Sequence, residues 1–399
     1  MKKGREVLHK AAQTYGTPVY VYEQQGIEAQ CQKLRRHFPN VAFHYAMKAN
    51  SNPEILRIVR KQGIGVEAVS LGELALAKHA GFKAKDTSFT CASLTETELV
   101  SAAASGARVH LDSLVQLETW GRRALGGEVS LRLNQGIGAG HHAHVITGGP
   151  HSKFGITLDD IPEALQIADR YSLTVTGIQQ HIGSNVLDAG VFLKSVRVLL
   201  QTAKSFPNLT HIDFGGGLGI PYAPGESQLD LKRVGKEFKI LTNAFKKSIG
   251  RDVSFAMEPG RFIVAESGSL LVSVVDQKKT SAHEFVGVNS GFNQLIRHAM
   301  YGSYHPIENL FRARGTKVPV TIAGNVCESG DLFAIDRMMI RPELGDVLTI
   351  RNAGAYGFSM ASNFNMHALP HEVLISGSGQ LKDISFSPSM YAIDESRRV

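Results

Sequence analysis

Eight short runs of β-forming residues, separated by stretches with helical apolar spacing, occupy the first two-thirds of this chain. The runs fall at residues 41–46, 66–69, 88–91, 108–111, 129–133, 175–181, 211–214 and 253–257. Helical patterns lie between them, for example at 53–61, 71–80, 96–104, 190–204 and 233–247. Strand alternating with helix predicts parallel βαβ units. Eight such units predict a closed (β/α)8 barrel, with an open doubly wound sheet as the competing arrangement.

From about residue 267 the texture changes. Runs at 270–275, 284–288, 318–322, 347–351 and 372–375 are β-like, with few long helical patterns between them. They predict a second, mainly antiparallel β-domain, a barrel or a sandwich. The run Pro18-Val19-Tyr20-Val21-Tyr22 precedes the first barrel helix and is expected to join it. The expected division is therefore 26–265 for the barrel, and 1–25 with 266–399 for the β-rich domain. A chain of 399 residues suits two domains of ordinary size.

Composition narrows the function class. Lys and Arg number 43 against 36 Asp and Glu, a formal charge of +7. The basic residues are scattered, with short runs only at Lys246-Lys247 and Arg397-Arg398, unlike a nucleic-acid footprint. The excess suits small anionic ligands. No apolar run reaches the ~18 residues of a membrane span, and no apolar block follows the basic N-terminus. Three cysteines are too few for a disulfide framework and fit a reducing cytoplasm. A cytoplasmic enzyme with a small-molecule substrate is expected.

Barrel enzymes place their chemistry at the C-terminal ends of the strands. There the chain carries Lys48, Ser70-Leu71-Gly72-Glu73, Arg132, His181-Ile182-Gly183-Ser184, Gly215-Gly216-Gly217-Leu218-Gly219 and Glu258-Pro259-Gly260-Arg261. A pyridoxal-phosphate (PLP) site can use each of these groups. Lys48, at the end of an apolar strand, would be partly desolvated, which favours a nucleophilic amine. The glycine run can turn backbone N–H groups toward a phosphate. Glu258 can pair with a protonated pyridine nitrogen and Arg261 with a phosphate. Each feature taken singly also has a plain structural use: a surface lysine, a tight turn, an ion pair.

In the β-rich part, Cys327-Glu328-Ser329-Gly330-Asp331 and Gly354-Ala355-Tyr356-Gly357 are loops bearing reactive or acidic groups. Arg297 and Tyr301 are four apart, on one face if helical, and can clamp a carboxylate. The cluster His141-His142-Ala143-His144 lies in a Gly-rich loop without a carboxylate or thiolate partner, which argues against a metal.

Together these motifs, with Tyr45-Ala46-Met47-Lys48-Ala49-Asn50 and Ser152-Lys153-Phe154-Gly155-Ile156, resemble the alanine-racemase-like (fold type III) PLP decarboxylases. They occur in that family's order from about residue 15 to 376. The stretch from Gly291 to Arg297 with Ala299 to His305 is similar to the family's diaminopimelate branch. The resemblance implies PLP linked to Lys48, stacked on His181 and paired with Glu258. It implies phosphate contacts from Ser184, Gly216, Gly217, Gly260, Arg261 and Tyr356. It implies substrate contacts from Arg261, Arg297, Tyr301, Glu328 and Tyr356, with Cys327 acting in catalysis. Cys327 and Glu328 would come from the partner of a homodimer with shared sites. The implied reaction is decarboxylation of meso-2,6-diaminopimelate to L-lysine in lysine biosynthesis.

Departures from the family pattern bear on the substrate. Glu67 stands where Asp is usual, His298 where Pro is common, and Phe364 and His367 where Tyr and Arg are common. Decarboxylation of another amino acid (ornithine, lysine, arginine or a siderophore-type carboxylated amine) is therefore the second reading, and a non-catalytic decarboxylase-like regulator a remote third.

Overall fold

The computed structural model describes residues 2–138, 148–149, 151–312 and 314–386. His141, His142 and His144, and most of the 138–149 loop, lie outside the described residues. The chain divides into two compact units, one of residues 30–220 and 227–262, the other of 1–29, 221–226 and 263–386.

In the first unit, eight parallel strands close on themselves: Val41–Ala46, Gly65–Ala68, Thr87–Thr90, Arg108–Leu111, Glu128–Asn134, Thr174–Gln179, His211–Asp213 and Ser254–Met257. Pairing of the eighth with the first, Phe255 opposite Val41, completes the ring and rules out the open sheet. Several helices between the strands begin at side-chain caps. Asn52 accepts from the Glu54 N–H with Pro53 at the first turn, Ser70 from Glu73, and Ser113 from Gln116. Thr95 and Glu98 form a reciprocal capping box.

Each parallel strand delivers its C-terminal residues to the same end of the barrel. The sixth strand stops at Gln179, two residues earlier than expected. The chain then bends through Gly183 and Asn185, which both hold positive φ (142° and 62°), so His181 sits in a turn rather than on a strand.

In the second unit, Gly268–Lys279 runs antiparallel to Val19–Glu23, Glu284–Val288 and Val347–Ile350. The sheet is mixed, since Val19–Glu23 is parallel to His371–Ile375 and Glu284–Val288 to Lys317–Ala323. A helix at Lys2–Tyr15, absent from the sequence reading, buries Leu8, Ala11 and Ala12 against Val19, Val21, Leu271 and Val373.

Candidate active site

The C-terminal end of the barrel gathers a dense set of polar groups. Lys48 lies in a single 3-10 turn, Met47–Ala49, directly after the first strand. Its ammonium forms an ion pair with Glu67 of the second strand. The Glu67 side chain is 2 % exposed and that of Lys48 34 %. The amine is thus partly withdrawn from water and meets a buried carboxylate. Glu67 is the partner the sequence reading did not place in the site, although an acid inside an apolar run was its signal.

Glu258 follows the eighth strand and is buried. Its Oε2 accepts from Gln179 Nε2 at 2.8 Å. Burial pushes its carboxyl well above the usual range, and the neighbouring Asp213 and Glu67 carboxylates push the same way. Glu73, next to this set, is raised to about 7, by burial first and then by Glu67. Its carboxylate accepts from the Val69 N–H at 2.8 Å.

His181 Nδ1 accepts from the Gly216 N–H at 3.1 Å, so the neutral ring carries its proton on Nε2. Burial, with the positive charges of Lys48 and Arg132, holds the ring pKa down at about 3. The imidazole is therefore neutral at physiological pH and presents a flat uncharged face. Gly216 is required by space: a Cβ there would lie 2.4 Å from the Glu258 carbonyl oxygen. Arg261 is buried and donates from Nη2 to Ser184 Oγ at 2.8 Å and from Nε at 3.2 Å.

The arrangement matches a phosphorylated pyridine. Glu258 Oε1 is buried without a hydrogen-bonding partner among the described residues, an expensive state that a pyridine N–H would relieve. Ser184 and Arg261 form one cationic, hydroxyl-bearing corner fit for a phosphate. Gln179 and Asp213, neither singled out from sequence, support the two ends. Asp213 Oδ1 accepts from the Gly215 N–H at 2.8 Å and so fixes the glycine turn.

In the second unit, Arg297 opens a short helix, Arg297–Tyr301. Arg297 is 1 % exposed. Its guanidinium reaches Ser303 Oγ (3.3 Å) and the His305 ring (3.1 Å) and lies 4.5 Å over the Tyr222 ring. Tyr301 is partly exposed. Cys327 and Glu328 are exposed on a loop pinned by Asp331, which accepts from the Val326 and Phe292 N–H groups at 2.7 and 2.6 Å. Asn365 Oδ1 accepts from the Cys327 N–H at 2.9 Å. Phe364, where Tyr was noted as common, stacks on Phe292 with ring centres 5.8 Å apart. Tyr356 takes positive φ, 56°, within its glycine-flanked loop.

Comparison with known proteins bears on this geometry. The profile of the family described as "Pyridoxal-dependent decarboxylase, pyridoxal binding domain" matches residues 24–265. The diaminopimelate decarboxylase of Methanothermobacter thermautotrophicus is 42 % identical over 382 residues, covering 91 % of this chain and 88 % of that protein. That of Escherichia coli K12 is 36 % identical, covering 94 % and 93 %. The crystal structure of Helicobacter pylori diaminopimelate decarboxylase complexed with L-lysine superposes with a TM-score of 0.87 at 29 % identity, covering 98 % of this chain and all of that one.

Proposed function

The chain belongs to the pyridoxal-dependent decarboxylase family, and on that premise we propose that it converts meso-2,6-diaminopimelate to L-lysine and CO2 with pyridoxal 5'-phosphate as cofactor. The observation that carries the chemistry is the buried, unpaired Glu258 Oε1 at the barrel end that also holds Lys48, His181 and Arg261. The names of the similar proteins supply the substrate.

When bound, the cofactor supplies a protonated ring that accepts the electrons left by departing CO2. The chain's own groups do the rest. Lys48 is the covalent anchor, and Glu67 keeps its ammonium oriented in the pocket. Glu258 holds the ring nitrogen protonated. Neutral His181 packs against the ring face and adds no charge that would compete with that proton. Ser184 and Arg261 hold the phosphate, with backbone contacts from Gly216, Gly217 and Gly260 and a further contact from Tyr356.

The retained carboxylate of the substrate falls to Arg297, with Arg261 and Tyr301. Its recognition by a buried, pre-oriented guanidinium is strong because the group is already desolvated. Glu328 binds the distal ammonium, and the Cys327 thiol returns a proton to the carbon that has lost CO2. Both residues are exposed in a single chain, which supports the reading that a homodimer completes each site with the partner's loop. Among the described residues no helix is long and apolar enough to cross a membrane and no disulfide joins the three cysteines. Both facts fit a cytoplasmic enzyme.

Mass spectrometry of products from the PLP-loaded protein, offered meso-diaminopimelate, lysine, ornithine and arginine separately, tests this reading. L-Lysine from diaminopimelate is expected. Cadaverine, putrescine or agmatine as the main product would transfer the assignment to another amino acid.

A further inference from the structure

The interior of the barrel is unusually polar. Bulky branched side chains dominate the layers of most such barrels. Here the strands bury Ser88 and Thr90, His110 and Asp112, Ser130 and Arg132, His211 and Asp213 at alternate positions. These side chains meet across strands. His110 Nδ1 lies 2.7 Å from Ser130 Oγ, and His211 Nδ1 lies 2.9 Å from Ser254 Oγ. The His44 Nδ1 and Asp213 Oδ2 atoms are 3.8 Å apart. Ligand-type atoms of His110, Asp213 and Glu258 all lie within 4.8 Å of one another. His44 Nδ1, His110 Nε2, His211 Nε2, Asp213 Oδ2 and Glu258 Oε1 are buried without a hydrogen-bond partner among the described residues.

This chain of groups reaches the opposite end of the barrel. A cavity of about 530 Å³ there is lined by Arg35, Arg36, Phe43, His44, Gly65 and Asp86, among others. The His44 side chain is 12 % exposed and the Asp213 side chain is sealed, so His44 stands between solvent and the interior. Gly65 makes room for it: a Cβ there would lie 2.7 Å from His44 Cδ2.

We infer that the barrel carries a proton path from this cavity, through His44 and Asp213, to Glu258 and thus to the pyridine nitrogen of the cofactor. The inference rests on the reading above that Glu258 holds that nitrogen. The His44–Asp213 gap of 3.8 Å is too long for a direct hydrogen bond and is a span one bridging water covers, and Asp213 and Glu258 offer carboxylate oxygens within 4.8 Å of each other. In one passage a proton leaves the Glu258 carboxyl for Asp213 Oδ2. Asp213 passes one to His44 Nδ1, and His44 Nε2 releases one to cavity water. Glu258 takes the ring N–H proton in its turn, Asp213 ends as it began, His44 is left as its Nδ1–H tautomer until the return passage resets it, and no electrons change hands. The groups facing Glu258 are Asp213, Glu67, Lys48 and His110, with Gln179 as its hydrogen-bond donor. Those facing Asp213 are His44, His110, His211, Arg108, His181 and Glu258. Of the two acids, Glu258 has the higher proton affinity, since burial and two carboxylates raise it, while the histidines hold Asp213 below its ordinary range against the effect of burial. His110 and His211, held down to about 3 and about 4 by burial, act as neutral supports rather than carriers.

The test uses holoenzyme loaded with PLP labelled with 15N in the ring, followed by NMR after transfer to D2O. The path predicts that His44→Leu and Asp213→Asn slow exchange of the ring N–H proton about tenfold or more. It also predicts that the 15N shift of the ring stays that of the wild type in His44→Leu. Arg36→Ala, lining the same cavity off the path, leaves the rate unchanged. His44→Gln replaces His44→Leu should the latter not fold, and Asn at 213 retains the acceptor for the Gly215 N–H. Equal exchange rates in wild type and both path variants would overturn the proposal. So would a stoichiometric metal ion retained by the holoenzyme, or a changed 15N shift in the His44 variant. An unprotonated ring in the wild type would remove the Glu258 reading itself and the path with it.

Discussion

The two units hold their functional residues in opposite ways. In the barrel, Glu258, Arg261 and Glu67 are buried, and their chemistry is set by burial and by each other: Glu258 is raised, His181 lowered, and Lys48 paired with Glu67. In the β-rich unit, the reactive groups sit on loops. Cys327 and Glu328 are exposed, and backbone bonds to Asp331 and Asn365 fix the loop that bears them. Arg297 is the exception, buried and braced by Ser303, His305 and Tyr222. Reaction chemistry that needs altered proton affinities belongs where water is excluded, whereas substrate recognition tolerates a more open setting. Substitutions in the barrel are therefore expected to act on turnover, and those in the β-rich unit on substrate binding.

The sharpest break of that contrast is Lys48→Ala, expected to lower kcat by about a thousandfold or more while the fold persists. Retained turnover, followed as CO2 release, would remove the lysine from the mechanism. Glu258→Gln comes next, with kcat down roughly 10²- to 10³-fold. It has a second, opposite readout. A carboxyl raised by folding costs stability as pH climbs above its ordinary value, because the folded state keeps a proton that the unfolded state has lost. Glu258→Gln should therefore raise the thermal unfolding temperature of the cofactor-free protein at neutral pH, and a drop would contradict the assigned direction.

Arg297→Ala moves the comparison to the β-rich unit. It should reduce kcat/KM roughly 10- to 100-fold through KM, equivalent to ~1.5–3 kcal/mol for lost charged hydrogen bonds. A fall confined to kcat would erase the division of labour between the units.

The histidines provide a pH test specific to the barrel. His110 and His211 have folded pKa values of about 3 and about 4, below their ordinary 6.5. Unfolded chains bind protons at these positions first, so stability is full above about pH 6.5 and falls as pH drops toward 4. Thermal melts of His110→Asn should show a shallower acid decline than the wild type. The smallest effect is expected from Phe364→Tyr. The ring stacks on Phe292, so an added hydroxyl should change kcat/KM by about threefold or less.

The repeating strand and helix signals were legible because most of the barrel helices carry their own caps and most strands an apolar run. The helix Pro53–Lys61 and the strand Glu284–Val288 match the sequence reading residue for residue. The N-terminal helix was missed although Leu8, Ala11, Ala12 and Tyr15 lie at helical spacing, since its apolar face is narrow and its first turn basic. The glycine turn and the Glu258–Arg261 motif could be found because they are contiguous. The Glu67 partner of Lys48 and the His44–Asp213 pair were not, since they join distant strands and appear in sequence as single polar residues inside apolar runs. The Lys48 side chain is partly buried, and a carboxylate, not only the apolar strand end, faces its amine.

The most direct test of the account is the stoichiometry of the reaction with meso-diaminopimelate labelled in its carboxyl carbons. The account predicts one CO2 and one L-lysine per substrate consumed, dependent on PLP, with the second carboxylate retained in the product. Release of CO2 with any other product, or no turnover by protein shown to hold PLP, would contradict it.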